Sequence, residues 1–147
     1  MPRGTKVRQT IFETKLYKKL RPSLKERTSG IIWQRMRFLN ENLSRASNRG
    51  DYSKEVSVNL DYLYDIGEKQ NWKCAITGVS LEFTRGGANW GGKWCNPNSC
   101  TIDRIDNEKG YVKDNVQLVI WKANYLRKEL PLKEFINLCK QIAKFKI

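Results

Sequence analysis

Between Thr101 and Lys128 the chain carries two short apolar runs, a glycine-bearing turn between them, and then helical spacing. Ile102 and Ile105 mark one strand, and Val116, Leu118 and Ile120 mark a second. A helix is expected to start at Trp121 or Lys122 and run to about Lys128. A hairpin followed at once by a helix limits the fold to the α+β class. Polar residues stand where the three pieces would converge: Asp103, Arg104, Asp106, Asn115 and Asn124. Asp103 offers a carboxylate and Asn124 an amide oxygen, from opposite ends of this unit. Such a pair suits one hard divalent cation held by oxygen, with room left for a phosphate.

Charge names the phosphate. The chain has 28 Lys and Arg against 15 Asp and Glu, a net charge of +13. Residues 1–50 hold 13 basic against 3 acidic side chains, so most of the excess lies in the N-terminal third. A one-sided excess of this size points to a polyanion, and nucleic acid is the obvious one. Histidine is absent. Any hydrolytic chemistry must therefore proceed without imidazole as general base or ligand.

At 147 residues the chain can bury a real core. No apolar run approaches the ~20 residues of a membrane span, and no signal-peptide core follows the N-terminus, so a cytoplasmic protein is expected. Its four cysteines are expected to be reduced there.

The rest of the chain reads as follows. Residues 1–10 form a basic arm with Arg3, Lys6 and Arg8, and Ile11 to Leu20 form a short helix stopped by Pro22. A second helix, from about Ser29 to Asn48, has Ile32, Met36, Leu39, Leu43 and Ala46 on its apolar stripe and Arg35, Arg45 and Arg49 off it. Val56 and Val58 suggest a short strand. Asn59 is a candidate N-cap for a helix through Leu60, Leu63, Tyr64 and Ile66. Cys74 to Gly78 form a turn before a strand near Leu81–Phe83, and residues 85–99 form a loop over the site. Pro131 opens a last helix whose face of Leu132, Phe135, Ile136, Cys139, Ile142 and Ala143 is expected to be buried. Gly110 is expected to supply a positive φ in the hairpin loop. Trp72, Leu81, Ile105, Val119 and Phe135 are expected in the core.

The ordered set resembles the HNH, or ββα-metal, endonucleases, in their phage-type branch. It comprises Cys74-x-x-Thr77-Gly78, Ile102-Asp103-Arg104-Ile105-Asp106, Gly110-Tyr111, Asn115-Val116 and Asn124-x-x-x-Lys128, preceded by Arg45-Ala46-x-x-Arg49-Gly50 and Gln70-x-x-Lys73-Cys74. The resemblance covers roughly residues 30–140. It implies a ββα-metal nuclease domain over residues 55–147, preceded by a basic helical DNA-binding arm over residues 1–54. It implies that Asp103 and Asn124 bind one Mg²⁺ or Mn²⁺ ion and that Asn115 fixes the loop by bonding across it. It also implies a duplex DNA partner, hydrolysis of a phosphodiester bond, and phosphate contacts from Lys122, Arg127 and Lys128. Arg35, Arg45 and Arg49 would add affinity. A monomer would nick, and a double-strand break would need a homodimer or two events.

Arg104 is the main departure, since it stands where the family has its histidine base. A guanidinium cannot accept a proton near neutral pH, but its donor fork suits a scissile phosphate. The base would then be Asp106, one of Tyr62, Tyr64 and Tyr111, or no protein group at all, with water activated by the metal alone. The alternative reading is a catalytically inactive descendant acting as a DNA-binding repressor or decoy, with an RNA-binding protein less favoured. A structural zinc ion is not expected, because Cys74, Cys95, Cys100 and Cys139 do not form paired Cys-x-x-Cys motifs.

Overall fold

The computed structural model describes residues 10–20, 30–48, 55–85 and 96–147. Arg49, the basic arm before Thr10 and most of the loop over residues 85–99 lie outside the described residues. A 3₁₀ turn at Ile11–Glu13 leads into α1 (Lys15–Leu20). Then come α2 (Ile31–Asn48), α3 (Leu60–Lys69), β1 (Cys100–Arg104), β2 (Val116–Ile120), α4 (Trp121–Arg127) and α5 (Leu132–Lys146). The architecture is α+β, with an antiparallel two-stranded sheet.

The start of α1 is built by a distant residue. The Asp61 carboxylate accepts from Lys15 N at 3.0 Å and Leu16 N at 3.3 Å, capping α1 from the first turn of α3. Asn59 caps α3 itself, its Oδ1 accepting from Tyr62 N at 2.9 Å. At the far end of α3, Gln70 acts as a strand substitute. Its Oε1 accepts from Leu118 N at 3.0 Å and its Nε2 donates to Leu118 O at 2.8 Å. Together with Ala75 N on the same carbonyl at 3.0 Å, this closes the outer edge of β2.

In the sheet Ile102 faces Leu118 and Asp103 faces Gln117. The core joins Met36, Phe38 and Leu39 of α2, Leu60, Leu63 and Tyr64 of α3, and Cys100, Ile102, Leu118 and Val119 of the hairpin. Each such aliphatic side chain contributes about 1.5–3 kcal/mol by leaving water. Trp72 and Leu81 are buried as expected. Trp72 lies edge-on to Tyr64 and Phe83 at 4.8 and 5.5 Å, with the Arg35 guanidinium 4.2 Å over its ring.

Several expectations are corrected. The segments at Val56 and at Leu81–Phe83 are not strands but single bridges among the described residues, Val56 with Tyr111 and Glu82 with Ser99. Ile105, one residue past β1, is 43% exposed. No residue of α5 is buried, and Ile136, Leu138, Ile142 and Phe145 are exposed. Cys139 is exposed as well. The sheet is already covered by α2, α3 and α4, so no described layer remains to receive the α5 face. Gly110 does not have a positive φ. A Cβ there would lie 2.1 Å from the Glu55 carbonyl oxygen, so close backbone approach is what requires glycine. Asp114, with φ of 64°, takes the left-handed turn of that loop instead.

Candidate active site

Two periodicities meet at the site. Thr101 and Asp103 are two apart on β1, about 6.6 Å, and share a face. Asn124 and Arg127 are three apart on α4, about 4.5 Å along its axis, and also share a face. Packing α4 on the hairpin brings these pairs into register. Asn124 Nδ2 donates to Thr101 Oγ1 at 3.2 Å, and Arg127 Nη2 donates to Asp103 Oδ1 at 2.6 Å.

Asp103 is buried at 4% exposure, and the Arg127 side chain is fully enclosed. Gln117, opposite on β2, donates to the other carboxylate oxygen at 2.9 Å. Arg127 also donates to the carbonyls of Arg104 at 2.6 Å and Leu130 at 3.2 Å, while its Nε finds no hydrogen-bond partner among the described residues. The expectation that Arg127 is a surface phosphate contact is therefore corrected. It is the internal counter-ion of Asp103.

Asp103 and Asn124 line one cavity of about 360 Å³ with Thr101, Arg104, Tyr111 and Lys128. Trp121 and Tyr125 form its aromatic flank, stacked at 4.9 Å. Arg104 is half-buried. Its Nη1 donates to Asn107 O and Lys109 O, both at 3.3 Å, and its guanidinium sits 5.3 Å from the Tyr111 ring. Asn115 is buried and spans the loop. Its Nδ2 donates to Asp106 O at 3.0 Å and Gly110 O at 2.9 Å, while Oδ1 accepts from Asp106 N at 2.9 Å. Lys128, with φ of 48°, ends α4 in a backbone conformation that L side chains rarely adopt.

The candidate bases separate. Tyr111 lines the cavity. Tyr62 is engaged elsewhere, its hydroxyl accepting from Asp114 N at 2.9 Å. Tyr64 lies in the core, where burial pushes its pKa up, opposed by a hydrogen bond with Arg35. Asp106 accepts from Glu108 N and faces Lys109 at 3.8 Å.

The donor set fits one hard cation of the Mg²⁺ kind, which needs few protein oxygens and keeps the rest of its shell for water and phosphate. Asp103 has lone pairs beyond the two in use, Asn124 has its amide oxygen, and Thr101 a hydroxyl. Among the described residues no cluster of three Cys, Asp or Glu side chains could bind a metal without such help. Of the basic residues outside the cavity, Lys122 and Arg45 are exposed. Arg35 is half-buried, with its guanidinium stacked on Trp72 and away from the cavity lining.

Sequence reasoning missed Gln117 and the role of Arg127. A signal for Arg127 existed, since a residue three beyond Asn124 on a helix faces the same strand. Compared with protein-family models, curated proteins and solved structures, the chain gives no significant match. Among the described residues, no helix is long and apolar enough to cross a membrane.

Proposed function

We propose that this protein is an HNH-like DNA endonuclease that hydrolyses a phosphodiester bond with one Mg²⁺ or Mn²⁺ ion. The observation that carries the reading is the convergence of Asp103, Asn124, Arg104 and Lys128 on one cavity. Asp103 and Asn124 would hold the ion, which when bound supplies positive charge at the leaving oxygen and acidifies water. Arg104 and Lys128 orient the scissile phosphate and match the charge that builds on it. Asn115 keeps the loop carrying Arg104's carbonyl partners in shape. Of Tyr62, Tyr64 and Tyr111, Tyr111 is the one that lines the cavity, and it would serve as proton acceptor for the attacking water. Lys122 and Arg45 add phosphate contacts that bind DNA without reading sequence.

The test is conversion of supercoiled plasmid to open-circle and linear forms with Mg²⁺ or Mn²⁺, alongside genomic DNA in case a cognate site is needed. Cutting by the wild type that is lost in Asp103→Ala and Asn124→Ala is expected. One site predicts nicks before linear product.

A second reading is an inactive DNA-binding descendant. It is favoured by the Arg127 guanidinium already occupying the Asp103 carboxylate. It predicts salt-sensitive DNA binding that neither substitution changes, with no cutting in any metal.

A further inference from the structure

We infer that Arg127 is a positioning residue that makes cation uptake at Asp103 and Asn124 contingent on a phosphate held in the same cavity. This rests on the nuclease reading above. In the structure Asp103 is not a free carboxylate awaiting a metal. One oxygen is matched by a buried guanidinium at 2.6 Å and the other by the Gln117 amide at 2.9 Å. The ionised groups in and behind the cavity are Arg104, Arg127 and Lys128 against Asp103 and Glu129, a net single positive charge. A bare divalent ion entering this space meets repulsion from three cations and only one carboxylate among its ligands.

A phosphodiester reverses the balance. Its negative charge, held by Arg104 and Lys128, neutralises the site and adds oxygens that a Mg²⁺-type ion prefers to carboxylate cages. Asp103 can then share its unused lone pairs with the ion. Arg127 need not leave, nor be stranded if it loosens, because the Arg104 and Leu130 carbonyls already accept from it. The coupling is reciprocal: whatever factor phosphate contributes to metal affinity, metal contributes to phosphate affinity. A site wired in this way does not fill with metal until substrate arrives.

The experiment is a titration of free Mn²⁺ by electron paramagnetic resonance against the full chain. It is run with and without a short duplex whose backbone resists hydrolysis. Asp103→Asn plus the same duplex sets the background from ions condensed on DNA. The wild type is expected to bind Mn²⁺ at least tenfold tighter when duplex is present. Arg127→Met is expected to bind Mn²⁺ alone at least tenfold tighter than the wild type and to lose the coupling, while Arg127→Lys, which keeps the charge, retains it. Equal wild-type affinity with and without duplex overturns the inference, even if Arg127→Met fails to fold, and leaves the nuclease reading standing. Unchanged or weaker metal binding in a folded Arg127→Met protein overturns it too. No Mn²⁺ binding above background in the wild type under either condition overturns both.

Discussion

Arg127 and Asp103, 24 residues apart in the chain, meet at 2.6 Å with both side chains sealed from solvent. The pair ties the last turn of α4 to the end of β1, and so fixes how the helix lies across the hairpin. Asp103 lines the cavity and Arg127 lies behind it, so the pair belongs to the site as well as to the core.

Removing either partner alone leaves a buried charge unmatched. Asp103→Leu and Arg127→Met should each destabilise the fold by about 3–5 kcal/mol. The double variant should lose less than the sum, with ~1–3 kcal/mol of coupling. Urea denaturation of the four proteins measures this. Additive losses would mean that the pair is not coupled in solution.

Asn115→Ala removes both the acceptor for Asp106 N and the donor to the Asp106 and Gly110 carbonyls. A loss of ~1–3 kcal/mol is expected, together with reduced cutting. Asn115→Asp keeps the acceptor but not the donor, so it should rescue little of either. Full rescue by aspartate would show that the two carbonyls do not depend on this side chain.

The basic residues should divide by location. Lys122→Ala and Lys128→Ala are each expected to reduce the slope of log affinity against log salt by about 0.9, measured by fluorescence anisotropy on duplex DNA. Arg35→Ala should leave that slope alone and lower stability, since its guanidinium covers Trp72 at 4.2 Å. A slope change in Arg35→Ala with stability intact would reverse this assignment.

Alkaline pH should unfold the protein by two buried acids. Burial raises the Cys100 thiol well above its ordinary 9.0, and raises Tyr64 above 10.0. A raised folded pKa leaves stability intact below the unfolded value and removes it as pH climbs. The decline should therefore begin near pH 9 and steepen past pH 10. Cys100→Ala, although less stable at pH 7, should show a shallower decline between pH 9 and 10 in a series of urea melts.

Helical spacing made α2 and α3 legible, because each buries one face, while the hairpin was read from its apolar runs although Leu118, Val119 and Ile120 are all buried. Asn59 announced its cap from its residue type alone. The same reasoning failed for α5. An apolar face at helical spacing states only that a surface needs covering, and Leu132 to Phe145 meet no covering layer among the described residues. Asp103 and Asn124 could be paired from the sequence since they bracket one local unit. The engagement of Asp103 could not, because it depends on the angle at which α4 crosses β1. Gly110 was legible as a constrained position, but the constraint comes from Glu55, more than fifty residues away.

That last contact has a wider consequence. The Tyr111 carbonyl accepts from Ser57 N and Val58 N, and Tyr111 N donates to the Glu55 carbonyl, so the loop beside Arg104 is pinned by backbone from an earlier part of the chain. The hairpin and its helix look like a portable cassette in the sequence. They are not one: excised or grafted without residues 55–58, the cassette would carry its chemical groups into a new host and lose the wall that holds them in place.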